Sequence, residues 1–475
     1  MFFSCSRACN LPVTRSSNIM NKKLLVDFLK KDIQNKSRIN VIGDSMVDEY
    51  HVVNVNRISP EFPIPIYKSD SLEPDNIVPG GAANVAFQFK HFNVSVELIS
   101  LLDKKANIVC NLNDINTNYS RVLDSITLPT KKRMYADSLP IVRWDIEKEN
   151  YGLEDIKKTL LDIEIPDSDF NIFSDYSKGV FCCPWFRRFF KNSKSLVDPK
   201  NKNLDFWQDC TVLKPNAVEA KQLSDRKNWR DQIDFFINSL RCSSVVITQA
   251  GDGVVGKDQD YFEHKYFDNK TFANSVIGAG DCFGAFLCMA LTNGFSLEEA
   301  SIIAFTAGSF YVTRKLNRPI CGAELLSHAE IKIIDEPDIL KNRNFKLVAT
   351  NGCFDLLHAG HIETLSYAKK QGDKLCVLVN SDASIKQIKG DNRPILSLDK
   401  RLQMLASLDM IDYIISFDEQ TPENVLRKFM PDVLVKGAEY NNKNIVGSTF
   451  IKEIKLAPMV SGFSTSTLIE KIKSI

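Results

Sequence analysis

No run of about 18 apolar residues occurs anywhere in the sequence, and a helix that crosses a bilayer needs roughly that length, so no membrane-spanning helix is expected. An excess of charge of one sign is also missing. Sixty Lys and Arg stand against 59 Asp and Glu, which leaves no global field to draw nucleic acid or an anionic membrane surface. Basic stripes interleaved with aromatics, as single-strand binders use, are absent too. The expected partners are therefore small molecules, with no nucleic acid and no membrane.

Histidine is scarce, at six residues. The twelve cysteines are spread thinly, and neither Cys5/Cys9 nor Cys182-Cys183 matches a four-ligand zinc spacing. Reduced thiols and a cytoplasmic location are the expectation, with no metal-ligand set. A GxxxxGK[ST] stretch is lacking, which disfavours a P-loop kinase.

What is present is ordinary globular composition, 44% hydrophobic and 25% charged, in 475 residues. At roughly 100–200 residues per domain, that length predicts two or three domains. Residues 1–36 read as an N-terminal extension and leading helix. Its first part, "MFFSCSRACNLPVTRSSNI", has Arg and Ser but no acid, as transit peptides do, and reads here as a loose tail or as sequence ahead of a start at Met20. Residues 37–328 alternate strand-like runs ("RINVIGDSMVDEY", "VSVELISLL", "FNIFSDYSKG", "KSLVDP", "SSVVITQAG") with helical ones ("GAANVAFQFKHF", "NWRDQIDFFINSL"), which predicts an α/β unit with a largely parallel sheet. Ser296 with Glu299 three residues on is a capping box opening a helix near its end. Residues 329–344, charged and weakly periodic, read as a linker. A second, smaller alternation of strands and helices occupies residues 345–475.

In that second unit "ATNGCFDLLHAGHIETL" (Ala349 to Leu365) is a strand end, a turn and a helix start. His358 and His361 can share a face there, beside the unpaired N–H groups of a helix N-terminus, and an anion is the natural guest. Zinc would require ligands from histidines far off in the chain, and a plain core pair is the other alternative. These residues, with "NSD", "GDNRPI", "LVKG" and "GFSTSTLI" following in order, resemble the HxGH nucleotidyltransferase family, which includes cytidylyltransferases and sugar-phosphate adenylyltransferases. The resemblance implies a Rossmann-like fold in which His358 and His361 contact nucleotide phosphates. It further implies that Thr350, Asn351, Gly352 and Phe354 border the nucleotide, that Lys386, Arg393 and Lys436 supply cations, and that Ser464 and Thr465 make a second phosphate contact. Stabilising charge on the oxygens of the attacked phosphorus needs no protein nucleophile.

In the first unit "GAGDCFGAFLCMAL" sets Gly278, Ala279 and Gly280 ahead of an apolar helix, an anion hole with Asp281 at its edge. A kinase needs such donors and a carboxylate to take the acceptor hydroxyl's proton, although an Asp at a helix start can be only a cap. Together with Gly43-Asp44, Asp48, "PGGAANVA", "SDYSKG", "DPK" and "KPNAVE", the stretch resembles the ribokinase-like sugar kinases. That resemblance implies a small β lid around residues 63–78, through which such kinases form homodimers. Asp281 is then the base, Asp48, Gly80, Gly81 and Asn84 hold the sugar, Lys178 meets its phosphate, and Asn216 and Glu219 lie near Mg2+-ATP. Ser275 and Ile277 stand where the family usually has an Asp and a Thr or Ser. A working transferase carrying a non-catalytic kinase module is the alternative reading.

The order of the two units resembles the bifunctional ADP-heptose biosynthesis family. That implies phosphorylation of a heptose 7-phosphate, adenylyl transfer from ATP to heptose 1-phosphate, and a separate phosphatase acting between the two steps.

Overall fold

The computed structural model describes residues 15–136, 139–148, 153–190, 193–200, 203–265, 275–314, 317–438 and 445–458. The chain divides into two units, Met1–Ile320 and Cys321–Ile475.

The first unit is built on an eight-stranded sheet. Its order is Tyr261–Lys265, Gly253–Lys257, Ser244–Thr248, Val212–Leu213, Lys194–Asp198, Phe170–Ser174, Ser37–Gly43 and Val94–Ile99. The strands from Ser244–Thr248 to Val94–Ile99 pair in parallel, and the remaining two are antiparallel. Interior strands such as Phe170–Ser174 are buried along their whole length, because helices cover both faces and leave no solvent side for a polar alternation. Gly43, Ser174, Asp198 and Leu213 end their strands at one rim, and ligands bind at that carboxyl edge of an open α/β sheet.

A four-stranded sheet, Leu139–Ile146, Thr130–Ala136, Ser45–Val52 and Asn76–Gly81, forms the lid. The sequence reads "RINVIGDSMVDEY" as one strand, but it makes two. Ser37–Gly43 enters the large sheet, and after Asp44 the chain turns into Ser45–Val52 of the lid. Both halves are buried, so the hydrophobic pattern does not mark the turn. Gly81, at φ 58°, lies so close to the Asp44 carbonyl that a Cβ would stand 2.3 Å from its oxygen. The lid also reaches beyond residues 63–78. Of that stretch, Pro65–Lys68 pairs instead with Asn54–Ile58 in a separate ribbon, and "GAANVAFQFKHF" is helical only over Ala82–Phe87.

The second unit holds a five-stranded parallel sheet in the order Tyr413–Phe417, Lys374–Asn380, Leu347–Gly352, Val433–Gly437, Glu453–Ala457. By chain order that is 3-2-1-4-5, a Rossmann-like winding whose switch point lies between Leu347–Gly352 and Val433–Gly437. The helix Gly322–His328, grouped above with the first unit, belongs to this one. Tyr413 Oη donates to Ala323 O at 2.9 Å and lies 2.8 Å from Ser327 Oγ, and Ile334 N donates to Ile414 O at 3.0 Å. Residues expected to form a linker are thus packed: Ile339 and Leu340 are buried. Charges on the outer side of this segment hide its apolar contacts from a reading of periodicity.

Candidate active sites

In the first unit Gly278 N-caps the helix Ala279–Thr292 at φ 75°. A Cβ there would come within 2.8 Å of Asn84 Nδ2, so the turn requires glycine for conformation and for space. Asp281 lies in the first helical turn and is buried. Its Oδ2 accepts from Asn84 Nδ2 at 2.7 Å and its Oδ1 from Tyr176 Oη at 2.5 Å. Burial pushes Asp281 up to about 6, against those two hydrogen bonds. Ser275, one of the departures, serves the turn locally, its Oγ accepting from Ile277 N at 3.3 Å.

Beneath the turn lies Lys214, from "KPNAVE". Its ammonium is buried, pairs with Asp198 at 2.8 Å, and lies 4.0 Å from where a Cβ of Gly280 would be. Burial alone would lower Lys214, but Asp198, with Glu219 and Asp281, holds it above the usual lysine range, so a cation stands by the helix N-terminus. In the sequence this lysine is marked only by its place directly after an apolar strand.

The other sugar-side residues lie around Asp48, on the lid strand Ser45–Val52. Asp48 accepts from Arg133 at 2.9 Å and Asn317 at 3.2 Å, and a Cβ at Gly80 would stand 3.0 Å from its Oδ2. Burial raises Asp48, opposed by Arg133 and Lys131. Asn84 gives Nδ2 to Asp281 while its Oδ1 accepts from Gln88 at 3.0 Å. Lys178 Nζ pairs with Glu147 at 2.6 Å. Asn216 and Glu219 make a complete capping box on the helix Ala217–Ser224, so Asn216 Oδ1 and one Glu219 oxygen face backbone N–H groups. The loop at Asp175 to Val180 is set by Asp44, which accepts from the N–H groups of Tyr176, Lys178 and Val180 at 2.9–3.0 Å.

In the second unit His358 caps the helix Ala359–Lys369 and His361 lies in its first turn. Their rings stack at 3.8 Å, and both Nδ1 atoms are buried without a hydrogen-bond partner. Burial lowers His358; burial, then His358 and Lys389, lowers His361 to about 4. Both shifts favour the neutral ring near pH 7. No group of three His, Cys, Asp or Glu suited to a metal exists among the described residues.

Thr350, Asn351 and Gly352 end the central strand, and Phe354, at φ 46°, lays its ring 5.1 Å from that of His361. Across the switch point Lys436 Nζ donates to Asn351 Oδ1. Arg393 is held by the buried Asp355 at 2.7 Å, and Asp355 also accepts from Ile395 N and Leu396 N. Lys386 is exposed in the last turn of the helix Asp382–Lys389 and is not brought into this group. Ser464 and Thr465 lie outside the described residues. Sequence reading missed Arg401, which is fully buried and donates to the carbonyls of Cys353, Asn380 and Leu396 and to Asp382. In an amphipathic helix pattern it reads as a solvated charge.

The first unit is a ribokinase-like carbohydrate kinase and the second a nucleotidyltransferase-type domain: residues 67–320 match the pfkB family carbohydrate kinases, and residues 349–470 match the cytidylyltransferase-like family. Two curated relatives are named bifunctional protein HldE. That of Haemophilus influenzae (strain PittEE) is 32% identical over 92% of this chain and 97% of its own, and that of Campylobacter fetus subsp. fetus (strain 82-40) is 33% identical over 91% and 99%. The Thermotoga maritima ribokinase structure shares 19% identity at a TM-score of 0.46, covering 62% of this chain and 98% of that one. The chain belongs to the bifunctional HldE family.

Proposed function

We propose that the first unit transfers the γ-phosphoryl group of Mg2+-ATP to the anomeric hydroxyl of D-glycero-β-D-manno-heptose 7-phosphate, giving the 1,7-bisphosphate. The second unit joins heptose 1-phosphate to the adenylyl group of ATP, giving ADP-heptose and pyrophosphate. The observation that carries the kinase half is Asp281 beside the Gly278 turn, a buried carboxylate at about 6 with Lys214 below it. Asp281 takes the proton as the sugar oxygen attacks, while the N–H groups of residues 278–280 and the Lys214 ammonium meet the migrating charge. The same arrangement speaks for a working kinase rather than a non-catalytic module.

The phosphate on the sugar is served by a crowd of cations. Lys131 is lowered first by burial, is raised by Asp48, and is lowered again by Arg143, Arg133 and Lys200. Such mutual repulsion is relieved by an anion, so this cluster joins Lys178, whose ammonium pairs with Glu147, as the candidate phosphate-binding group. Magnesium would enter with the nucleotide phosphates, and Glu219 and Asp198, the carboxylates near Lys214, would hold it. In the second unit the sugar phosphate attacks the α-phosphorus and pyrophosphate leaves. Lys436 and the two histidines are the donors that stabilise the charge.

A separate phosphatase must act between the steps, and a cytoplasmic location fits both the free described cysteines and the absence of a helix long and apolar enough to cross a membrane among the described residues. Homodimerisation is assigned to the lid, whose edge strand exposes Leu139 and Trp144.

Phosphorus NMR of the full chain with Mg2+-ATP tests both halves, with heptose 7-phosphate in one tube and heptose 1-phosphate in another. A bisphosphate that vanishes with Asp281→Asn, and ADP-heptose with pyrophosphate that vanish with His361→Ala, are the expected results. A silent first tube beside a reactive second would overturn the kinase half.

A further inference from the structure

Tyr176 lies in the "SDYSKG" loop, and nothing in the mechanism above uses it. Its phenol is partly buried and donates to Asp281 Oδ1 at 2.5 Å, in the short range of charge-assisted O–H to carboxylate bonds. Asn84 Nδ2 holds the other oxygen at 2.7 Å. With one donor on each oxygen, the carboxylate has one preferred rotation. Tyr176 is itself fixed: its N–H bonds Asp44 Oδ2 at 2.9 Å, and its ring has Lys200 Nζ at 4.1 Å and Lys131 Nζ at 5.6 Å from the centroid. Lys131 comes from the lid strand Thr130–Ala136, and Lys200 follows the strand Lys194–Asp198 of the main sheet. Two cations thus lie against the ring, while burial and the Asp281 carboxylate hold the phenol well above the usual tyrosine range, so it keeps the proton it donates.

We propose that Tyr176 is a positioning residue for phosphoryl transfer, its hydroxyl orienting the Asp281 carboxylate toward the sugar hydroxyl and keeping it ionised in a buried site. The inference rests on Asp281 being the base. The groups facing that carboxylate are Tyr176, Asn84, Asp198, Lys214 and Tyr311. Burial raises Asp281 most, the two hydrogen bonds oppose it, Asp198 raises it and Lys214 lowers it. Removing the phenol hydroxyl therefore raises it further. A tyrosine present only to fill space would be replaced by phenylalanine without consequence.

The test uses the full chain with Tyr176→Phe, which keeps the ring, and follows ADP release with heptose 7-phosphate from pH 5.5 to 9. A rise of about one unit in Asp281 is expected to lower kcat about fivefold at pH 6 and about twofold at pH 7, with KM for both substrates changed less than about twofold. The acidic limb should move to higher pH, so that part of the rate returns at alkaline pH, while adenylyl transfer in the second unit is unaffected. Fluorotyrosine at position 176, a stronger donor, should move the limb the opposite way. A profile that superimposes on the parent's after scaling overturns the proposal, as does an unchanged rate. Asp281→Asn separates the two readings. If that variant still phosphorylates the sugar, the base assignment fails and the role of Tyr176 falls with it. If it is inactive while the Tyr176→Phe limb stays put, only the role of Tyr176 falls.

Discussion

Asp281 and His361 are displaced by the same cause in opposite directions, since burial disfavours the charged form of each. Asp281 must be ionised to accept a proton, so kcat/KM for the sugar phosphate should fall as pH drops through about 6, measured by ADP release under conditions of low substrate. His361 has a folded value of about 4, below the 6.5 of an unstrained imidazole. Between those limits the unfolded chain binds more protons than the folded one, so its contribution to stability is whole above 6.5 and is lost as pH falls toward 4. Unfolding in urea should therefore show the parent losing on the order of 2 kcal/mol more than His361→Gln over that window. Equal losses would show that His361 titrates normally. The residue types that phosphoryl and nucleotidyl transfer need, glycine turns, a carboxylate and paired histidines, are legible at this scale because each stands on a short local stretch. The pairing of Lys178 with Glu147 and of Asn84 with Asp281 was not legible, because a motif states that a residue is near a ligand, not which neighbour its side chain reaches first.

Arg401 ties together elements that the sequence leaves separate. One guanidinium satisfies the carbonyl of Cys353 after the first strand, that of Asn380 at the end of the second, and that of Leu396 ahead of its own helix. Replacement by Met leaves those acceptors unpaired in the interior, so Arg401→Met should destabilise the second unit by about 3 kcal/mol and abolish adenylyl transfer, while the kinase rate is unchanged. Differential scanning calorimetry with both assays reads this, and an unmoved second transition would refute it. Strand and helix types were readable here because the second unit's runs are short, apolar and regularly spaced. The break at Asp44 was not, since a chain that passes from one sheet to another stays buried throughout.

At the scale of the molecule, the division after Ile320 gives a fragment prediction. Residues 321–475 should fold and transfer adenylyl groups alone, because Ala323, Ser327 and Ile334 bond the strand Tyr413–Phe417. A fragment beginning at residue 345 loses those bonds and should melt at lower temperature or precipitate. Equal melting of the two fragments would count against the packed role of residues 321–344. On the proposal that a separate phosphatase acts between the two steps, each separated half should keep the rate it has in the full chain.

Two α/β units, their order, and the glycine, histidine and aspartate stretches that mark each site are local in the sequence, because backbone turns and strand periods are dictated by neighbours only a few residues apart. Pairing across long separations was decided by the tertiary structure alone: Tyr176 and Asn84 on Asp281, Lys214 beneath the glycine turn, the cations around Asp48, and Arg401 among four segments. Those contacts follow from which strand ends meet at a sheet's rim, and a buried polar group shows its purpose only when the partner that satisfies it is brought alongside.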